Sequence, residues 1–169
     1  MPRVDFRSLP DHGRLWVFPS SRTLKVEESS GVLKEVDRFL EQWTAHGSEL
    51  KSGRDLREGR FLLIGVDEAA EAASGCSIDA LVKSLRALGA ELGVSLVDHA
   101  PVWYRNGDEV ETVSRAEFKR MAGTGEVSRQ TLVFDTSLTE VRALRKAGLE
   151  RPAAETWHGE VFFTHDGNS

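Results

Sequence analysis

Phe61-Leu62-Leu63-Ile64-Gly65-Val66, followed a few residues later by Ser74-Gly75-Cys76-Ser77-Ile78-Asp79, is the stretch whose reading decides the fold class. The first piece is an unbroken apolar run of strand length, the pattern of a central strand buried on both faces. The second opens a helix. From a start near Ser77, residues Ile78, Leu81, Val82, Leu85, Leu88 and Leu92 recur at helical spacing, and Gly93 follows as a C-terminal cap. A buried strand leading directly into an amphipathic helix predicts helices packed on a sheet.

Working outward toward the amino terminus, the polar segment Ser48 to Arg60 reads as a linker. Before it, Val32, Val36, Phe39, Leu40 and Trp43 predict a helix capped by Ser29 or Ser30 and ended by Gly47, just after His46. Leu15 to Phe18, closed by Pro19, predicts a first strand. Toward the carboxyl terminus, Val94 to Asp98 reads as a short strand. Val102 to Tyr104 and Glu109 to Val113 flank Asn106-Gly107, a pair suited to positive φ at both turn positions, and predict a hairpin. Ser114 to Glu117 and Ser137 to Glu140 have capping-box form and announce two more helices, the second running to Gly148. Thr131 to Phe134 predicts a strand, and Glu160 to Thr164 a last one. The order predicts a single α+β domain over residues 1–169, with helices packed on a mixed, mostly antiparallel sheet. A ferredoxin-like core with additions fits it. Residues 1–11 and 167–169 carry little apolar pattern and are expected to be loosely ordered.

Composition narrows the function classes. Lysine and arginine total 22 against 27 acidic residues, a net charge of −5, opposite to the usual balance of a nucleic-acid binder. The single cysteine cannot close an internal disulfide, which suits a reducing, cytoplasmic setting. Arg3, Asp5, Arg7, Asp11 and Arg14 interrupt any signal-type apolar core, and the longest apolar run is far too short for a membrane span. Neither membrane nor nucleic acid is an expected partner. The phosphate loop, the dinucleotide fingerprint, the H-E-x-x-H zinc motif and the nucleophile elbow are all missing, and the one cysteine and five histidines have no zinc spacing, so no cofactor is expected.

The candidate site is Ser74 to Asp79. Ligands of strand-helix units often sit beyond the strand's carboxyl end, where the next helix offers unpaired N–H groups and partial positive charge. Gly75 admits close backbone approach, Ser74 and Ser77 add hydroxyls, and Cys76 stands where a thiolate is favoured. His46 and His158 are the two candidate bases. Asp67 and Glu68 could orient one, Arg22 could clamp an anion with its planar fork, and Trp157 could line the site. Each has a plainer reading: inert core thiol, helix cap, surface ion pair, rim aromatic.

The segments Phe18 to Leu24, Trp43 with His46-Gly47, Ala73 to Asp79 and Trp157-His158 together resemble an uncharacterised bacterial family, some of whose members carry the label "ABC transporter ATPase". That label implies ATP hydrolysis, which the missing phosphate loop contradicts, so the resemblance supplies no catalytic residues. Two functions follow from the residues themselves. One is a site for a small anionic ligand, or a thiol-based site, at the helix start. The other is a non-catalytic module with a structural Cys76, contacting a protein through aromatics such as Trp103, Tyr104 or Trp157. Thiol redox sensing is a third, although no second cysteine is present to resolve an oxidised one.

Overall fold

The structure, a computed structural model, describes residues 3–163, and it is α+β: helices packed on antiparallel sheets. The chain packs as two compact units, one comprising residues up to Asp98 with Ser137–Lys146, the other His99–Thr136 with the residues from Ala147 onward.

In the first unit the elements are β1 (Arg14–Pro19), α1 (Val26–Glu41), a small hairpin of β2 (Thr44–Ala45) and β3 (Ser48–Glu49), β4 (Lys51–Arg57), β5 (Phe61–Asp67) and α2 (Gly75–Leu92). The sheet order is β1-β5-β4, antiparallel throughout. This β-α-β-β-α order, with its last strand in the middle, is that of the first five elements of a ferredoxin-like core. Beyond β1 a single bridge, Arg14 to Glu140, stands where such a core would place a fourth strand.

Strand β5 is buried along its apolar length, as its composition predicts. Leu62, Ile64 and Val66 join Val32, Val36 and Leu40 of α1 and Leu81 and Leu85 of α2 in one core, so both helices cover the same face. The opposite face is closed by the chain's beginning. Phe6 and Leu9 are buried, Val4 N–H donates to the Ser52 carbonyl, and Cβ atoms at Gly53 or Gly65 would collide with this segment. The expectation of a loose start is therefore corrected for residues 3–11. Two apolar anchors and two glycines suffice to seat the segment, although no periodicity signals it. Residues 167–169 lie outside the described range.

Other boundaries also differ. The supposed linker from Ser48 to Arg60 contains β3 and β4. Strand β4 looks polar because Arg54 spends its charge on Asp37, in two bonds of 2.7 and 2.8 Å. Helix α1 starts before the serines and is closed at its first turn by the Glu28 carboxylate, which accepts from Lys25 N–H. It ends at Glu41, and His46-Gly47 instead forms the hairpin turn between Ala45 and Ser48, with φ of 53° and 79°.

The second unit holds β6 (Val102–Asn106), β7 (Glu109–Val113), α3 (Arg115–Thr124), β8 (Leu132–Phe134), β9 (Glu150–Pro152) and α5 (Trp157–Phe162), with sheet order β7-β6-β8-β9. The remaining helix, α4 (Val141–Ala147), is reached through residues 137–140, which bridge to β1 rather than begin a helix. The β6–β7 hairpin forms as predicted, but its two-residue turn is Gly107-Asp108, with Gly107 at φ 63° in the first central position. That is the type II′ arrangement. Val94 to Asp98 forms no strand, and the strand expected at Glu160 lies within α5. Thr164 lies outside the described residues.

Candidate functional site

An open cleft of about 330 Å³ lies in the first unit, between the β2–β3 hairpin and the first turns of α2. Its lining includes Phe39, Gln42, Trp43, His46, Cys76 and Ala80. The volume is at the lower end of the roughly 300–1,000 Å³ typical of small-molecule pockets.

Trp43 builds the wall. Just past the end of α1, it is buried and its indole Nε1–H donates to the Ser77 carbonyl at 2.8 Å. Its ring meets Trp16 edge-on at 6.0 Å and Phe39 at 5.6 Å. The Trp43 carbonyl accepts from Leu50 N–H, closing the base of the hairpin. One side chain thus fixes the hairpin to the first turn of α2, which places the hairpin tip and the helix start on one cleft. His46, at that tip, is exposed and in the left-handed region. The two-residue turn here calls for positive φ at both positions, for which Asn-Gly is the favoured pair; a histidine in the first position is uncommon.

The helix start is closed by reciprocal bonds. Ser74 Oγ accepts from Ser77 N–H at 3.1 Å, while Ser77 Oγ accepts from Ser74 N–H at 2.7 Å and donates to the Ser74 carbonyl. These serines are therefore a cap first. The N–H groups of Gly75 and Cys76 enter none of these bonds, as expected for a first helical turn. Cys76 is exposed. A Cβ at Gly75 would meet nothing within 4 Å, so nothing within the chain requires glycine there.

The other expected site residues fall elsewhere or serve the backbone. Asp67 accepts from Ala69 N–H and Glu68 from Ala73 N–H, shaping the loop that leads into α2. Neither is among the residues lining the cleft. Arg22 is no clamp for this site. Its guanidinium holds both oxygens of Glu28, at 2.8 and 2.9 Å, and donates to the Leu92 carbonyl at the opposite end of α2, a helix roughly 27 Å long at 1.5 Å per residue. The Arg22 bonds, with a further one from the Lys25 backbone, pull the Glu28 carboxyl down to about 2.

His158 and Trp157 belong to the second unit and do not line the cleft. His158 is 1% exposed, stacked on Trp157 at 3.8 Å, with Nδ1 2.7 Å from Thr156 Oγ1. Burial drives its imidazole down to about 4, so it sits neutral in a core. It is no solvent-facing base. Arg115 lies over the Trp157 ring at 4.8 Å. Trp103 and Tyr104 are buried and unavailable as partner-contacting aromatics. Asp135 is buried against Arg151 at 2.5 Å. Among the described residues, no group of three or more His, Cys, Asp or Glu side chains could hold a metal ion, and no helix is long and apolar enough to cross a membrane.

Of the ten residues singled out in the sequence, the fold gathers His46, Ser74, Cys76 and Ser77 on one cleft, with Gly75 between them. Among the lining residues that sequence reasoning did not assign to the site are Phe39, Gln42 and Trp43. The visible signal was a tryptophan just before Thr44-Ala45-His46-Gly47, a short hairpin pattern hidden by reading the helix through it. Comparison with protein-family models, curated proteins and solved structures finds no match to the chain.

Proposed function

We propose that the first unit binds a small ligand with an apolar body and an anionic or electrophilic end, using Cys76 as a reactive thiol and His46 as its proton acceptor. The observation that carries this reading is that an exposed thiol and an exposed imidazole, far apart in sequence, line one cleft. Phe39 and Trp43 supply an aromatic wall for the ligand body. The Gly75 and Cys76 N–H groups point the positive end of the helix dipole toward an anion. The turn geometry adds support, because His46 occupies a position where asparagine would fit the backbone better.

The test uses the single cysteine as its own reporter. Cys76 is alkylated with anionic iodoacetate and with neutral iodoacetamide, in the folded protein and in the urea-unfolded chain. An anion-favouring site raises the iodoacetate-to-iodoacetamide rate ratio on folding, against the repulsion expected from a net charge of −5. His46→Asn keeps the turn and removes the base, and is expected to slow both reagents by about tenfold or more, since general-base assistance is typically worth about a hundredfold or more. A folded-state ratio at or below the unfolded one, with no effect of His46→Asn, would remove the proposal.

A further inference from the structure

The first half of α1 and the last turns of α2 enclose a second groove, of about 490 Å³, that shares no residue with the cleft. Its apolar surface comes mainly from the half-buried Leu88 and Leu92, with Val32 buried beneath them. Gly31 also lines it, in the interior of α1, and a Cβ there would meet no atom within 4 Å. A glycine inside a helix costs about 1 kcal/mol relative to alanine. The chain's own packing gives no return for that cost. What Gly31 does provide is a bare stretch of helix backbone on the groove, where another chain can approach closely.

The rim decides the chemistry of the occupant. Glu27, Glu28, Glu35 and Glu91 stand on it against Lys34 alone. Glu28 is held by Arg22 and Glu35 lies 3.3 Å from Arg38, which leaves Glu27 and Glu91 free of any ion pair among the described residues. We infer that this groove receives a lysine- or arginine-bearing amphipathic helix of a partner protein, its apolar face on Leu88 and Leu92 and its cations on Glu27 and Glu91. A second copy of the chain would bring a like-charged rim to the same place. Residues 27 to 35 cover about 12 Å of helix axis, enough for roughly two turns of a partner. That length suits anchors spaced i, i+3, i+4 and i+7.

The probe is a capped, fluorescein-labelled peptide of about fourteen residues, with leucines at those anchor positions and lysines elsewhere, read by anisotropy against the whole protein. Its control replaces every lysine with glutamate. The lysine peptide is expected to bind and the glutamate peptide to fail. Gly31→Trp fills the groove from an exposed position and should weaken binding about tenfold or more, as should Glu27→Lys combined with Glu91→Lys. Backbone amide shifts on binding should centre on Gly31, Leu88 and Leu92. Three outcomes overturn the inference. The lysine peptide could fail to bind, or it could bind the Gly31→Trp protein equally well, which would mean diffuse attraction to an acidic chain. The third is self-association of the protein that Gly31→Trp abolishes, which would make a second copy the occupant.

Discussion

Ser52 carries the one buried side-chain polar atom without a hydrogen-bond partner among the described residues. Its hydroxyl sits in β4 opposite Val66, a member of the core beneath the two helices. A buried hydroxyl that makes no bond carries its desolvation cost with nothing to offset it, so Ser52→Ala should stabilise the protein by about 1 kcal/mol in urea titrations. A loss of stability would mean that the hydroxyl has a partner such as a bound water. At this scale the sequence made Cys76 and His46 visible as chemistry-bearing residues, but it offered His158 on the same terms. Burial separates the two histidines. His46 stands at an exposed turn, whereas His158 is enclosed between Trp157 and Phe118. A histidine's neighbours in space are not written in its neighbours in sequence.

Helix α1 is the element in which local and tertiary forces disagree most. Its first turns hold Ser29, Ser30 and Gly31, all poor helix formers in an interior, and the apolar positions Val32, Val36 and Leu40 hold the helix in place against the sheet. Gly31→Ala adds a methyl group into open space and should raise stability by about 1 kcal/mol, a shift thermal unfolding can read. A neutral or negative result would mean that the first turns of α1 fray and do not report helix propensity. The same weakness explains why the helix boundaries were misread. The serines look like caps, but Glu28 supplies the N-terminal closure by reaching back to Lys25 N–H. In contrast, α2 was legible along its length and at its Gly93 end, although it starts at Gly75 behind the Ser74 cap, two residues before the start expected near Ser77. Strand β4 was illegible because pairing with β5 creates it, and a polar strand has no period to detect.

For the whole molecule, the buried imidazole of His158 sets an acid limit on stability. Held down to about 4 chiefly by burial, with Arg115 and Arg151 adding to the effect against Asp135, it stays neutral in the folded state while the unfolded chain takes up a proton near 6.5. Stability is therefore unaffected by this group above that value. It is lost as pH falls from about 6.5 toward 4, by an amount on the order of 3 kcal/mol. The carboxylates cannot account for this window. Glu28, Asp37, Glu117 and Glu126 are all lowered by their partners, so their losses begin only around or below their ordinary values of 4.5 and 3.8. Urea titrations across the window should show the slope in the native protein and its near disappearance in His158→Gln. A slope unchanged by that substitution would place the acid sensitivity elsewhere.

Sequence alone determined the α+β class, the doubly buried β5, the body of helix α2 with its Gly93 cap, and the region of the β6–β7 hairpin, because periodicity, capping and turn chemistry act over a few residues. It also marked the start of α2 as the place to look for chemistry. Only the tertiary structure decided that the chain's beginning closes the far face of the first sheet, that β4 is a strand, and that residues 137–146 return to β1. It alone placed His46 and Cys76 on one cleft and held His158 in a core of the second unit. Those outcomes rest on pairing and burial between segments far apart in the chain, where the stabilising contact exists only once both partners are in place.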